Sequence, residues 1–165
     1  MKLTQGIEWS IHSLALLGGL PEGLTLRIEK MAEFYNLPTA YLRKQLQALS
    51  RANLVEATTG PGGGYKLARP ADQITLLDIY IAIEGDDHCF RCMEIRQNGP
   101  SAVDKSFYTR PCNIAAAMWK AEKAWRDELA KVTIAGIIHD ALEQMPAEQR
   151  DRGVDWLTKT LGGAQ

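Results

Sequence analysis

Three cysteines, Cys89, Cys92 and Cys112, fall within one short stretch of a 165-residue chain that has no others. In a reducing compartment an odd, clustered set of thiols reads as metal-binding or redox-active, not as a disulfide framework. Cys89 and Cys92 have the C-x-x-C spacing, which suits a zinc half-site or a redox dithiol. Zinc would need two further Cys or His ligands close by, and only His88 is local. Cys112 follows Cys92 after nineteen intervening residues; unrelated free thiols would fit that spacing too. A second pair, Glu8 and His12, lies four residues apart, so on a helix both side chains leave the same face and can grip one metal. On their own such pairs are more often surface hydrogen bonds, and Trp9 beside them reads as packing.

These groups need elements to position them. Ile7, Ile11, Leu14 and Leu17 recur at helical spacing over residues 5–17 until Gly18-Gly19 stops the run. A second helix is expected from Thr25 to Tyr35, with Leu26, Met31 and Phe34 inward, broken by Asn36-Leu37-Pro38. Thr39 can cap a third helix with the stripe Leu42, Leu46, Leu49. Two helices and a tight turn make a helix-turn-helix. Leu54–Thr58 and Tyr65–Ala68 flank a Gly-rich turn, which is the pattern of a hairpin, here placed as a wing. Ile74–Glu84 reads as a fourth helix. The fold expected is mainly α with a small β-hairpin wing: a winged helix-turn-helix over residues 1–84, a cysteine-bearing loop over 85–112, one long helix over 113–138, and a tail over 139–165 with a short helix near Val154–Leu161. In the long helix Ile114, Met118, Ala121, Trp125, Leu129 and Val132 form a seam with spacings of 4, 3, 4, 4 and 3. So long a seam points to a partner helix from a second subunit, hence a homodimer.

The third helix offers Thr39, Tyr41, Arg43, Lys44 and Gln45 as DNA contacts, and the wing offers Thr59, Gly63 and Tyr65. Arg and Lys suit guanine edges and phosphates, Tyr suits phosphate, and glycines let backbone approach a phosphate. A helix face of this kind is often only solvated; the wing that follows it favours DNA. Net charge is −1, yet residues 1–70 carry +3 and the remainder −4. A basic N-terminal module is compatible with double-stranded DNA. No apolar run reaches the roughly 18 residues of a membrane span and no export signal is visible, so a cytosolic location is expected. No phosphate loop, Ser–His–Asp order or pair of catalytic carboxylates emerges, which argues against an enzyme.

The run Tyr41-Leu42, Leu49, Leu54-Val55, Gly62-Gly63-Gly64-Tyr65 and Leu67-Ala68-Arg69-Pro70, followed by Ile74-Thr75-Leu76-Leu77-Asp78, resembles the Rrf2 family of winged-helix transcription regulators over residues 1 to about 138. Further segments, among them Met1-Lys2-Leu3, Glu8-Trp9, His12, Glu94-Ile95-Arg96-Gln97 and Cys112, are similar to family members that sense redox state through a 2Fe–2S cluster. The resemblance implies a dimer on a palindromic operator, with each cluster held by Cys92 and Cys112 of one subunit and Glu8 and His12 of the other. This departs from the commoner family arrangement of three closely spaced cysteines, and Cys89 does not occupy the missing place. Imidazole and carboxylate donate less than thiolate, so such a cluster is expected at a higher potential than an all-Cys one, and a His ligand can couple a proton to the electron. Thr59 stands where many relatives carry Arg before the wing turn, which weakens minor-groove reading by the wing. Two other readings stay open: a cluster-free regulator sensing oxidants through Cys89 and Cys92, and an electron-transfer or cluster-carrier protein.

Overall fold

The computed structural model describes residues 3–60 and 62–162; Met1 and Lys2, named above, lie outside them. The elements are α1 (Gln5–Gly18), α2 (Ile28–Tyr35), α3 (Thr39–Arg51), β1 (Val55–Thr58), β2 (Gly64–Leu67), α4 (Leu76–Glu84), α5 (Asn113–Leu129), α6 (Ile134–Gln144) and α7 (Ala147–Gly162). It is a mainly helical architecture with one two-stranded antiparallel hairpin, Val55 opposite Leu67 and Thr58 opposite Gly64.

The apolar stripes meet in one core of Leu14, Leu17, Leu26, Met31, Leu42, Leu46, Leu49, Leu54, Ile74, Ile79 and Ile134. The turn between α2 and α3 is closed by Asn36 in the left-handed region (φ 51°) and by the Leu37 N–H donating to Ala32 O at 2.8 Å. Helix α2 begins at Ile28, later than the expected Thr25. The cause is Leu26, which is extended and exchanges two 2.9 Å hydrogen bonds with Tyr65, tying the wing to the segment before α2. Gly64 permits this contact, since a Cβ there would lie 2.8 Å from the Leu26 carbonyl. Thr39 is the first residue of α3 rather than its cap, because Pro38 takes the cap position. Helix α4 opens with a capping box in which Thr75 and Asp78 satisfy each other's backbone N–H groups.

The single helix expected over 113–138 is two. Helix α5 ends at Leu129, and Thr133 caps α6 by accepting the Gly136 N–H at 3.1 Å. Between them the chain pairs with the start of α4: Leu76 N–H donates to Val132 O, and Ile134 N–H donates to Ile74 O, both at 2.9 Å. Core burial outweighs continuation of the helix, because Ile134 becomes fully buried. Helix α6 then runs back along α1, with Ile138 against Gly18. The tail holds a full helix, α7, twice the length expected for it.

Candidate functional site

The structure brings Cys92 and Cys112 together. Cys112 caps the N-terminus of α5, and its thiol is held below the usual cysteine range by the Ala115 and Ile114 N–H groups, with help from the Arg96 charge and a hydrogen bond with Cys92. Partial burial opposes this shift and loses. The Cys92 sulfur accepts the Glu94 N–H at 3.4 Å. Two thiols within reach of each other, one set into the donor end of a helix, form a site that favours sulfur in its anionic form.

Two residues that sequence reasoning left without a role build this site. Arg96 Nε donates to Glu94 at 2.7 Å and its Nη2 to Arg110 O at 2.5 Å, while the guanidinium lies 5.0 Å from the centre of the Tyr108 ring. Arg96 pulls the Glu94 carboxyl below the ordinary range, and Glu94 also takes hydrogen bonds from the Cys112 N–H and the Cys92 thiol. An ion pair thus ties the two cysteine segments. The sequence signal is an acid and an arginine two apart, beginning two residues after Cys92. Tyr108 completes the tie by donating to Arg96 O at 2.9 Å.

Cys89 is placed elsewhere, with its sulfur 3.3 Å from Tyr80 Oη. That bond and burial push the Tyr80 hydroxyl up to about 12. The segment around Cys89 is stapled to α5: Glu122, 8% exposed, accepts the Cys89 N–H at 3.2 Å and lies 3.3 Å from His88 Nδ1. Trp119 donates to Phe90 O at 3.2 Å, and Arg126 pairs with Asp86. The face of α5 turned to its own chain is therefore Ala115, Trp119, Glu122 and Arg126. It is rotated by one residue from the apolar seam, of which Ile114 and Met118 stay 64% and 45% exposed. Trp125, also of the seam, packs within the chain, edge-on to Tyr80 at 4.8 Å.

Glu8 and His12 are both exposed on α1. Within one chain they do not join the thiols: among the described residues no three His, Cys, Asp or Glu side chains are grouped to hold a metal. Beside Glu8, Trp9 packs edge-on against Tyr41 of α3 at 4.8 Å, and the His12 ring lies 5.2 Å from that of Tyr35. Tyr35 donates to His12 O at 3.2 Å, and burial raises its hydroxyl to about 12.

On the DNA-reading side Tyr41, Arg43 and Lys44 are exposed on α3 and Thr39 is half-buried. Gln45 is not on that face. It is 5% exposed in the inward stripe Leu42-Gln45-Leu46-Leu49, against Gly6 of α1, because the period of 3.6 puts position 45 beside 42 and 49. Thr59 is exposed. Gly63 turns the wing where a Cβ would lie 2.5 Å from Thr58 O. Tyr65 is half-buried with its ring on the core, which makes it a wing anchor.

A helix-turn-helix followed by a wing, with a cationic outer face on its second helix, defines a DNA-binding winged-helix regulator. The chain belongs to the Rrf2 family, described as iron-dependent transcriptional regulators, whose profile matches residues 3–140; this is a family of regulators, not of enzymes. YwgB of Bacillus subtilis, described as an HTH-type transcriptional regulator, is 27% identical over 99% of both chains. Two solved structures share the fold. CymR (YrzC), the global cysteine regulator of B. subtilis, has a TM-score of 0.66 and 21% identity, covering 84% of this chain and 97% of that one. IscR of T. potens has a TM-score of 0.67 and 22% identity, covering 89% and 93%. No helix among the described residues is long and apolar enough to cross a membrane.

Proposed function

We infer that this chain is a homodimeric repressor or activator whose affinity for a palindromic operator is set by a 2Fe–2S cluster held by Cys92 and Cys112 of one subunit and Glu8 and His12 of the partner subunit. The observation that carries the reading is the pairing of Cys92 and Cys112 at the N-terminus of α5. Backbone N–H groups and Arg96 there favour thiolates, the form in which cysteine binds iron. A bound cluster would supply one-electron chemistry at this place. The segments around Glu8, His12, Cys92, Glu94–Gln97 and Cys112 resemble the redox sensor RsrR of the same family.

Dimerisation is supported by surface chemistry. Met93, Ile95, Val103, Phe107, Ile114 and Met118, all within or just after the cysteine loop, are 45–80% exposed. So much apolar surface next to the thiols fits burial by a second copy. Such an interface would bring the α1 of one subunit, with its unshared Glu8–His12 face, to the thiols of the other. Within the chain, Trp9 on Tyr41 then offers a direct route from α1 to the DNA-reading helix. Residues 1–84 would read DNA through Tyr41, Arg43 and Lys44, with Thr39, Thr59 and Gly63 at the edge of the contact.

The experiment is anaerobic purification followed by operator binding with oxidised, reduced and cluster-free protein. A coloured protein with about one cluster per chain and unequal affinities is expected; equal affinity in all three states would sink the switch. One observation favours a second reading, thiol–disulfide sensing. The thiols within reach of each other are Cys92 and Cys112, not the C-x-x-C pair. A colourless protein that forms a Cys92–Cys112 disulfide with peroxide would decide for it.

A further inference from the structure

Helix α7 lies beyond residues 3–140, the part that the family profile matches, and its contacts give it a role. Trp156 Nε1 donates to Glu33 Oε1 at 3.1 Å, and the same carboxylate is held from its other side by Lys30 at 2.7 Å. The indole packs on Phe34 with centroids 4.9 Å apart and planes at 63°. Phe34 in turn stands edge-on to Tyr35 at 4.8 Å and 85°. The Tyr35 ring lies beside that of His12, with centroids 5.2 Å apart and planes at 53°, and its hydroxyl donates to the His12 carbonyl at 3.2 Å. Four rings from three helices therefore run in unbroken contact from the tail to an exposed histidine on α1.

We propose that Tyr35, braced through Phe34 by Trp156 of α7, is a positioning residue for His12, so that the tail helix belongs to the cluster site. The proposal rests on the reading of His12 as a ligand. An exposed histidine on a helix otherwise samples several rotamers, and a ligand must hold one. A tilted ring beside the imidazole and a hydrogen bond at its backbone narrow that choice before any iron arrives. Edge-to-face pairs are specific in angle as well as distance. Loss of the indole at one end thus loosens Phe34, then Tyr35, then the imidazole. Leu157 packs beside Trp156 on the same core edge, which fixes the end of the brace that does not touch α1.

The test uses the full-length cluster-loaded protein and four variants: His12→Ala, Tyr35→Phe, Trp156→Ala and Trp156→Phe. Val154→Ala, on the exposed side of α7, is the control. The readouts are the EPR g-values of the reduced cluster and the rate of cluster loss to a chelator. His12→Ala shifts the g-values if His12 is a ligand. The brace requires Trp156→Ala and Tyr35→Phe to shift them too, with cluster loss about ten-fold faster, as for other groups that orient a metal ligand. Trp156→Phe should recover most of the change and Val154→Ala should show none. If His12→Ala shifts the spectrum while Trp156→Ala and Tyr35→Phe match the wild type, the brace is overturned and the ligand reading stands. If His12→Ala changes nothing, both fall.

Discussion

Gly6 and Gln45 meet where α1 crosses α3, and a methyl group added there tests how tightly the two helices are coupled. A Cβ on residue 6 would lie 2.9 Å from both Gln45 Nε2 and Oε1 and 3.0 Å from Cδ, closer than such atoms approach. Alanine gains about 0.5–1 kcal/mol over glycine in a helix, but overpacking a buried contact costs about 1–3 kcal/mol. Gln45 is a flexible chain, yet at 5% exposure it has little room to move. Gly6→Ala should therefore lose about 1 kcal/mol net, or roughly 2–4 °C in Tm for a chain of this size. Gln45→Ala clears the space, so the double variant should be as stable as Gln45→Ala alone or slightly more so. Urea denaturation of cluster-free protein at one fixed concentration measures the cycle. Additivity within about 0.5 kcal/mol would refute the contact. The same cycle asks what Gln45 does. As a buried spacer, its loss alone leaves the ratio of operator to non-operator affinity unchanged; a collapsed ratio would return it to the DNA-reading face.

Other consequences follow from single contacts. Arg96→Ala removes a charge beside both thiols, so the pH at which Cys112 of cluster-free protein becomes alkylated by iodoacetamide should move upward, with Cys89 unaffected. Thr75→Ala removes the α4 cap and should cost about 1 kcal/mol in chemical denaturation. Burial alone would raise the Asp78 carboxyl, but the Thr75 hydrogen bonds and Arg69 outweigh it and set the folded pKa below the ordinary value. Its stabilising share is present above the unfolded pKa of about 4 and is lost as pH falls through the lower folded value; Asp78→Asn should flatten that part of an acid-unfolding curve. Gly63→Ala, which would set a Cβ 2.5 Å from Thr58 O, should weaken operator binding while leaving helix content intact.

Periodicity made the reading domain legible. The stripes of α1, α3 and α4, the breaker at Asn36-Leu37-Pro38 and the Gly-rich turn are local signals, and the core follows them. The failures occur where tertiary pairing overrides a local pattern. Leu26 fits a helix by its apolarity, but its two bonds to Tyr65 need a partner thirty-nine residues away. Val132 continues the α5 seam by spacing, yet its carbonyl is taken by Leu76 and its neighbour Ile134 by the core. Gln45 shows the opposite error, since a polar side chain at an inward position was read by its chemistry and not by its period.

The same distinction bears on the thiols. Their pairing was legible only as a set of candidate ligands, because what joins them is not a metal motif but an ion pair, Glu94 with Arg96, and the first turn of α5. On α5 the neighbouring stripe 115, 119, 122 and 126 holds the cysteine loop and leaves Ile114 and Met118 turned outward. One helix therefore carries two faces, one fixing the loop within the chain and one turned outward, which the proposed function gives to a second copy. A mutation on the outward face, such as Met118→Lys, should break subunit association while the Cys92–Cys112 pairing survives. One at Glu122 should disturb the Cys89 segment first. If association and thiol geometry instead failed together from either face, the helix would not divide its labour this way, and a cluster shared between subunits would lose its structural basis.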